Sequence, residues 1–301
     1  MKGLFSNRSA LFQAGVLLYF LLMGLVFSSI TGYAMMRISG SIPENIPFYI
    51  MQATQFMSNI FVFVLPAAGT AYFCCRNPAK FLCMRKITDV RVLILAAAMI
   101  FLISPAVDAT IYLNSQMHLP EFMAPVENWM RETEDHATQI TEKVLSEDGI
   151  FPFIINIIVI GVMAGLTEEF LFRGALLSII RIKIKNPHIA IWIVAILFSA
   201  IHFQFYGFIP RMLSGAVLGY LLYWSNNIWV PAFAHFLNNT VAVVGHKTGI
   251  FQNESGSSTL ITNDIKTEDL LITGAIAIVG LILSALCAKI MRKICMSPES
   301  C

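Results

Sequence analysis

The sequence predicts an all-α protein, a polytopic membrane helical bundle with about eight transmembrane helices. Its 301 residues are 57% hydrophobic and only 13% charged, which is far too apolar for a water-soluble domain of this size. The chain contains several nearly charge-free runs, each of about 20 residues, which is the length of helix that crosses roughly 30 Å of hydrocarbon. Because lipid offers no hydrogen-bond partners to an open sheet edge, these runs predict helices.

Each span is predicted from one such apolar run. The predicted spans cover residues 11–35, 51–75, 92–113, 151–180, 189–208, 212–224, 228–245 and 270–290. The run at 212–224 is short, but its flanks can extend it and neighbouring helices can shelter it. We find no internal repeat or nucleotide-binding glycine loop, so residues 1–301 are predicted to form a single integral-membrane domain.

Basic residues in the connections predict how the spans are oriented, because Lys and Arg are preferentially retained on the cytoplasmic side. With eight alternating spans, basic clusters at residues 76–91, 181–185 and 289–293 fall on one side. The connection at 114–149 falls on the other side and carries eight Asp or Glu residues against only Arg131 and Lys143. We therefore expect a multi-pass protein of the cell membrane, with cytoplasmic termini and an acidic extracytoplasmic connection.

The acidic connection has a helical pattern of its own. Its less polar positions recur at helical spacing: Phe122, Val126, Trp129, Thr133, Ala137, Ile140 and Val144. This spacing predicts a helix that lies on the membrane surface or over the bundle, or that is a solvated connecting helix.

The fourth span contains three charged side chains, in the sequence GLTEEFLFRG. A charged side chain at bilayer depth costs about 2.5–3.5 kcal/mol on insertion scales, so each requires a partner or a function. Glu169 and Arg173 are four residues apart, the spacing of an ion pair on one helix face. Glu168 is rotated by about 100° from Glu169 and is predicted to face a central cavity. The small residues Gly161 and Gly165 predict that another helix packs closely against this span.

Two histidines lie in later spans. His202 belongs to LFSAIHFQF in the fifth span, with Phe198 one turn earlier, and His235 and Asn239 lie four apart in the seventh span. A single histidine at such a place is commonly satisfied by a neighbouring backbone group. One carboxylate, two histidines and an amide together supply what peptide hydrolysis needs, a base for water and donors for an oxyanion.

The motif order EExxxR, FxxxH and HxxxN, each within a predicted span, resembles the CPBP family of type II CAAX prenyl endopeptidases and abortive-infection-like proteins. The resemblance covers residues 151–246, which would be the catalytic core. It implies an intramembrane endopeptidase, a hydrolase that cleaves a membrane-associated protein or peptide. By motif, the catalytic residues would be Glu168 and His202, which activate water, and His235 and Asn239, which stabilise the oxyanion. The supporting residues would be Glu169, Arg173 and Phe198.

Cofactor use is an open point of this interpretation. Glu168, His202 and His235 could hold a zinc ion, yet the HExxH pattern of soluble zinc proteases is absent. We favour a glutamate-based mechanism without an obligatory metal.

Two other function classes remain compatible with the sequence. Intramembrane Glu and His also form the proton relays of transporters, although no broken-helix pairs or repeat halves are visible here. A non-catalytic membrane scaffold or immunity protein could keep the same fold and motifs. The expected partners are a membrane-associated substrate and the lipid bilayer; a formal net charge of +2 gives no indication of nucleic-acid binding. Substrate prenylation and oligomeric state are left open.

Overall fold

The computed structural model describes residues 2–42, 45–87, 89–249 and 267–295, and within these ranges the chain is helical with no β-strand. This confirms the predicted fold class. The helices are α1 (Ala10–Ile38), α2 (Phe48–Cys74), α3 (Pro78–Phe81), α4 (Arg91–Ser115), α5 (Ala124–Leu145), α6 (Ile150–Lys183), α7 (Pro187–Ala200), α8 (Phe208–Ser225), α9 (Trp229–Thr248) and α10 (Thr267–Cys295).

Five of these helices are long and apolar enough to cross a membrane, counting only the described residues. They are α1, α2, α6, Arg91–Ile111 of α4 and Thr273–Cys295 of α10. The protein is therefore a multi-pass membrane protein. A helix lies at each of the eight predicted places, but α7 has only 14 residues, and α8 and α9 do not meet the same length and hydropathy limits. The total of eight spans stays a prediction.

Local chemistry sets the ends of the helices around the site. At the start of α7, the Asn186 side chain accepts a hydrogen bond from the His188 N–H at 2.9 Å, and Pro187 occupies the first helical position. Helix α8 ends where Asn226 adopts a left-handed conformation with φ of 49°, and α9 ends at Gly249 with φ of 71°. The connection that joins α8 to α9 is therefore short and runs only from Asn226 to Ile228.

The close helix contact predicted from small residues is formed between α6 and α9. A Cβ atom on Gly165 would lie 2.7 Å from the backbone nitrogen of Phe236, and one on Gly161 would lie 2.7 Å from Thr240 Oγ1. Only glycine allows the two helices to approach this closely. The contact places the middle of α6 directly beside the histidine-bearing face of α9.

Helix α6 departs from regular α-helical geometry on both sides of its glutamates. Ile157–Ala164 and Phe170–Leu176 have π-helical hydrogen bonding, and Gly165–Glu169 between them is α-helical. Such π-helical segments occur frequently at functional sites, because they change the direction in which neighbouring side chains point.

The predicted C-terminal boundary of the fifth span is wrong. The sequence placed this span at 189–208, but α7 ends at Ala200. The His202 N–H bonds back to the Ser199 carbonyl at 3.3 Å, and Phe203 then adopts a positive φ of 53°, which a continuing α-helix cannot contain. His202 therefore lies in the connection at 201–207 and not inside a spanning helix. The following helix, α8, starts at Phe208 and not at residue 212. The flank of the short apolar run at 212–224 thus extends this helix, as the sequence allowed.

Asn114, near the end of α4, holds this connection in place. The side chain is only 3% exposed. Its Nδ2 donates to the Phe205 carbonyl at 3.0 Å, and its Oδ1 accepts from the Ile209 N–H at 2.9 Å. One buried amide thus ties α4 to both sides of the turn into α8.

The acidic connection contains the predicted helix, α5, which lies over one end of the bundle. The Trp129 ring is 5.2 Å from the Phe205 ring, and the Arg131 guanidinium is 4.6 Å from the centre of the Tyr206 ring. Both contacts are made to the connection that carries His202. Of the positions considered for this helix, the structure thus favours the one over the bundle.

Candidate active site

A cavity of about 470 Å³ lies between α4, α5, α6, α8, α9 and the 201–207 connection. All four side chains predicted to be catalytic line its wall: Glu168, His202, His235 and Asn239. Phe198 also contributes to the wall. The structure thus brings together residues that the sequence places on separate elements.

The ion pair predicted inside α6 is formed and is buried completely. Arg173 Nη1 donates to Glu169 Oε1 at 2.7 Å, and both side chains are 0% exposed. Arg173 Nη2 donates to the Gly215 carbonyl of α8 at 2.8 Å. The guanidinium lies 4.5 Å from the centre of the Phe198 ring, within cation–π range. This pair therefore joins α6, α7 and α8.

Glu168 faces the other way. Its side chain is 12% exposed and lines the cavity, whereas Glu169 does not contribute to the cavity wall. The two carboxylates thus point in directions about 100° apart around the helix axis, as helical geometry predicts for adjacent residues.

His235 lies between these two glutamates. Its Nδ1 is 2.9 Å from Glu169 Oε1, and its Nε2 is 3.9 Å from Glu168 Oε2. An ionised carboxylate only accepts hydrogen bonds, so His235 carries a proton on Nδ1. The sequence assigned Glu169 only to Arg173; the structure adds that Glu169 orients His235.

The 201–207 connection fixes the ring of His202 through the backbone. Nδ1 lies 2.8 Å from the Phe198 carbonyl oxygen, and the ring centres of the two residues are 5.2 Å apart. A carbonyl can only accept, so Nδ1 is the protonated nitrogen. In the neutral ring, Nε2 therefore carries the lone pair and can accept a proton or a hydrogen bond.

Asn239 is anchored to α6. Its Nδ2 donates to the Ile160 carbonyl at 3.0 Å. An amide nitrogen has two N–H groups, so one remains available to a ligand in the cavity.

Two charged residues of the cavity wall were missed by the sequence analysis. Arg211, in the first turn of α8, donates from Nη2 to Gln204 Oε1 at 2.6 Å. Glu134 of α5 accepts the Tyr206 N–H at 3.1 Å. Arg211 is the only Lys or Arg in residues 202–227, and it lies in a region where basic residues are otherwise few. Its isolation in the sequence could therefore have marked it as a candidate. Glu134 had none, because its place depends on how α5 folds back over the bundle.

The part of the chain that the structure describes contains no group of three or more His, Cys, Asp or Glu side chains arranged to hold a metal ion. His202 and His235 each direct Nδ1 to an acceptor of the protein. Only their Nε2 atoms are thus left for any other ligand.

The region of the chain that carries this site is similar to known proteins. Residues 150–241 match the family model described as "Type II CAAX prenyl endopeptidase Rce1-like". The chain is also 31% identical over 106 residues to "Uncharacterized protein YpbD" of Bacillus subtilis (strain 168). That alignment covers 34% of this chain and 49% of YpbD, so the matched region spans about half of the relative's length. No solved structure matches. All four cavity residues predicted to be catalytic lie within the matched range.

Proposed function

We propose, from the premise that residues 150–241 belong to the Rce1-like type II CAAX prenyl endopeptidase family, that this protein is an intramembrane endopeptidase. Its substrate is a membrane-associated protein or peptide. The observation that carries the proposal is the shared cavity, whose wall holds a carboxylate, two histidines and an amide.

Glu168 is the proposed base. It takes a proton from a water molecule, whose oxygen then bonds to the carbonyl carbon of the scissile peptide. The electron pair of the C=O bond moves to the carbonyl oxygen, which becomes an oxyanion. When that oxygen re-forms the double bond, the C–N bond breaks and Glu168 returns the proton to the leaving amine. His202 Nε2 orients the water, because its lone pair can accept a hydrogen bond from it.

His235 and Asn239 are the proposed donors to the oxyanion. Asn239 uses the N–H that is not bonded to Ile160. His235 Nε2 can donate only when the ring is protonated at both nitrogens, since Nδ1 already donates to Glu169. Stabilising an oxyanion with preorganised donors is commonly the largest single contribution to such catalysis.

We further propose that no metal is obligatory. The absence of the HExxH pattern of soluble zinc proteases from the sequence motivates this proposal. Metal content measured by mass spectrometry beside single-turnover rates tests it. Stoichiometric zinc that disappears in His235→Ala, with zinc-dependent recovery of the chelated wild type, would overturn it.

Both termini are proposed to be cytoplasmic, so the cavity end that carries α5 faces the extracytoplasmic side. Reporter cysteines at Thr133 in α5 and Ala79 in α3, introduced into a variant without native cysteines, test this orientation. We expect an impermeant reagent added outside to label position 133 only. Labelling of position 79 alone would reverse the topology.

Proteolysis of a membrane-peptide library by the purified protein in liposomes tests the activity directly. Wild type is expected to cleave a subset of peptides and Glu168→Ala none. Equal cleavage by both proteins would point to a contaminating protease. No cleavage by either, together with proton flux through the same liposomes, would favour a proton-coupled transporter over an enzyme.

A further inference from the structure

The two arginines nearest the glutamates of α6 differ in how their charge is compensated. Arg173 has a carboxylate oxygen at 2.7 Å. Arg211 has a neutral partner, Gln204, and within the described ranges no carboxylate oxygen lies within 4.0 Å of its guanidinium. Its Nη1 is buried and has no hydrogen-bond partner in that part of the chain. A buried donor without an acceptor costs about 1–3 kcal/mol, so an acceptor is expected at this place.

Arg211 is placed where reacting atoms would lie. It shares the cavity wall with Glu134, Glu168 and His202 and interacts electrostatically with all three. A Cβ atom on Gly207 would lie 3.2 Å from Arg211 Nη2 and 3.6 Å from Nη1. A side chain at 207 would therefore press on the guanidinium, and glycine leaves room for it.

The donors assigned to the oxyanion are each partly committed. The Nδ1–H of His235 donates to Glu169, and one N–H of Asn239 donates to the Ile160 carbonyl. Arg211, by contrast, is a charged residue of the same wall, and its Nη1 has no acceptor among the described residues.

We propose that Arg211 is a further catalytic residue, whose guanidinium donates a hydrogen bond to the carbonyl oxygen of the scissile peptide. The inference rests on the proposed function. When water attacks, its proton neutralises Glu168 while the electron pair of the C=O bond makes the carbonyl oxygen negative. One negative charge thus moves from the carboxylate to the oxyanion. A fixed cation whose donor points at the oxyanion stabilises it more than the neutral carbonyl, which lowers the barrier.

The test compares Arg211→Gln with wild type on peptides that the wild type cleaves. We expect kcat to fall by about 10²- to 10³-fold with little change in KM, the signature of an interaction made in the transition state. Arg211→Lys should lose less, because it keeps the charge without the planar fork. Added guanidinium should restore part of the activity of Arg211→Ala. Arg181→Gln, a basic residue of α6 that lines a different cavity, is the matched control and should keep wild-type kcat.

The outcomes separate this inference from the function on which it rests. A wild type that cleaves no peptide removes the proposed function, and this inference with it. An active wild type with unchanged kcat in Arg211→Gln overturns the inference alone. A loss of kcat accompanied by a lowered unfolding temperature and no guanidinium rescue would also overturn it, since Arg211 would then be structural.

Discussion

The two faces of α6 at its adjacent glutamates show how one chemical group serves two purposes. On the packed face, Glu169 is 0% exposed and receives hydrogen bonds from Arg173 and His235. On the cavity face, Glu168 is 12% exposed, and the described basic side chain within 4.0 Å of it is His235, whose Nε2 is 3.9 Å from Glu168 Oε2. The packed carboxylate accepts both hydrogen bonds on Oε1 and holds helices together, whereas the cavity carboxylate makes no such bond to a described residue. The environment, and not the residue type, decides which glutamate is open to the cavity.

Exchanging Glu168 for glutamine gives the largest expected effect on the cavity face. Glu168→Gln fills the same space but cannot take a proton from water, so cleavage should fall by about 10²- to 10⁴-fold, the usual contribution of a general base. The unfolding temperature should stay near that of the wild type, because Glu168 is not part of the α6 ion pair. Initial cleavage rates and thermal unfolding check both expectations. Normal cleavage by this variant would eliminate Glu168 as the base.

The same exchange on the packed face should act mainly on stability. Glu169→Gln leaves the Arg173 charge buried without its counter-charge, and breaking a buried pair in this way costs about 3–5 kcal/mol. Cleavage should fall as well, because His235 loses the carboxylate that orients it. Unfolding in mixed detergent micelles measures the loss. Glu169→Gln with Arg173→Met is the matched variant and should recover part of the stability; if it were less stable than the single variant, the charge argument would fail.

Replacing Asn239 of α9 is the next prediction for the cavity face. Asn239→Ala should lower single-turnover kcat by about 10²- to 10³-fold, with substrate affinity little changed, as is typical of a lost oxyanion donor. The neighbouring Asn238 lines the same cavity but is exposed and lies outside the HxxxN motif. Asn238→Ala should therefore stay within a few-fold of wild type. Similar defects in the two variants would show that Asn239 has no special role.

Replacing Asn114 of α4 tests whether its hydrogen bonds to Phe205 and Ile209 hold the connection that carries His202. Asn114→Leu removes two hydrogen bonds to the 201–209 region and leaves buried backbone groups unsatisfied, at a cost of about 1–3 kcal/mol. We expect faster hydrogen exchange at 201–209 and slower cleavage. Gln116→Leu, at an exposed neighbouring position, is the control. Unchanged exchange in Asn114→Leu would show that other contacts hold the connection.

The smallest expected effect concerns Glu127 of α5, which does not line the cavity. Donation from Arg131, the Leu119 N–H and His118 lowers the pKa of Glu127 from 4.5 to about 2. A lowered folded-state pKa means that this contribution is present above the unfolded pKa and is lost as the pH falls towards 2. The stability difference between wild type and Glu127→Gln should therefore be small at neutral pH and shrink between about pH 5 and pH 2. Hydrogen exchange of α5 measures it, and a difference independent of pH would contradict the assignment.

The sequence by itself determined the helices and the pairing within α6. Apolar runs predict spans because the backbone must satisfy its own hydrogen bonds in lipid, and a helix lies at each predicted place. The Glu169–Arg173 pair is equally local, since residues four apart meet on any helix of about 3.6 residues per turn. The direction of Glu168 towards a cavity follows from the same periodicity.

Only the tertiary structure decided what meets across helices. The bond between His235 and Glu169 joins positions 66 residues apart, and the contacts of Asn114 reach 91 and 95 residues along the chain. These contacts place His202 in a connection where its apolar surroundings had predicted a helix. Arg211 and Glu134 likewise reach the cavity wall only in the folded bundle, where they contact Gln204 and Tyr206. Periodicity describes each helix about its own axis; the rotation and depth of one helix against another follow from packing of the whole bundle, which no single segment encodes.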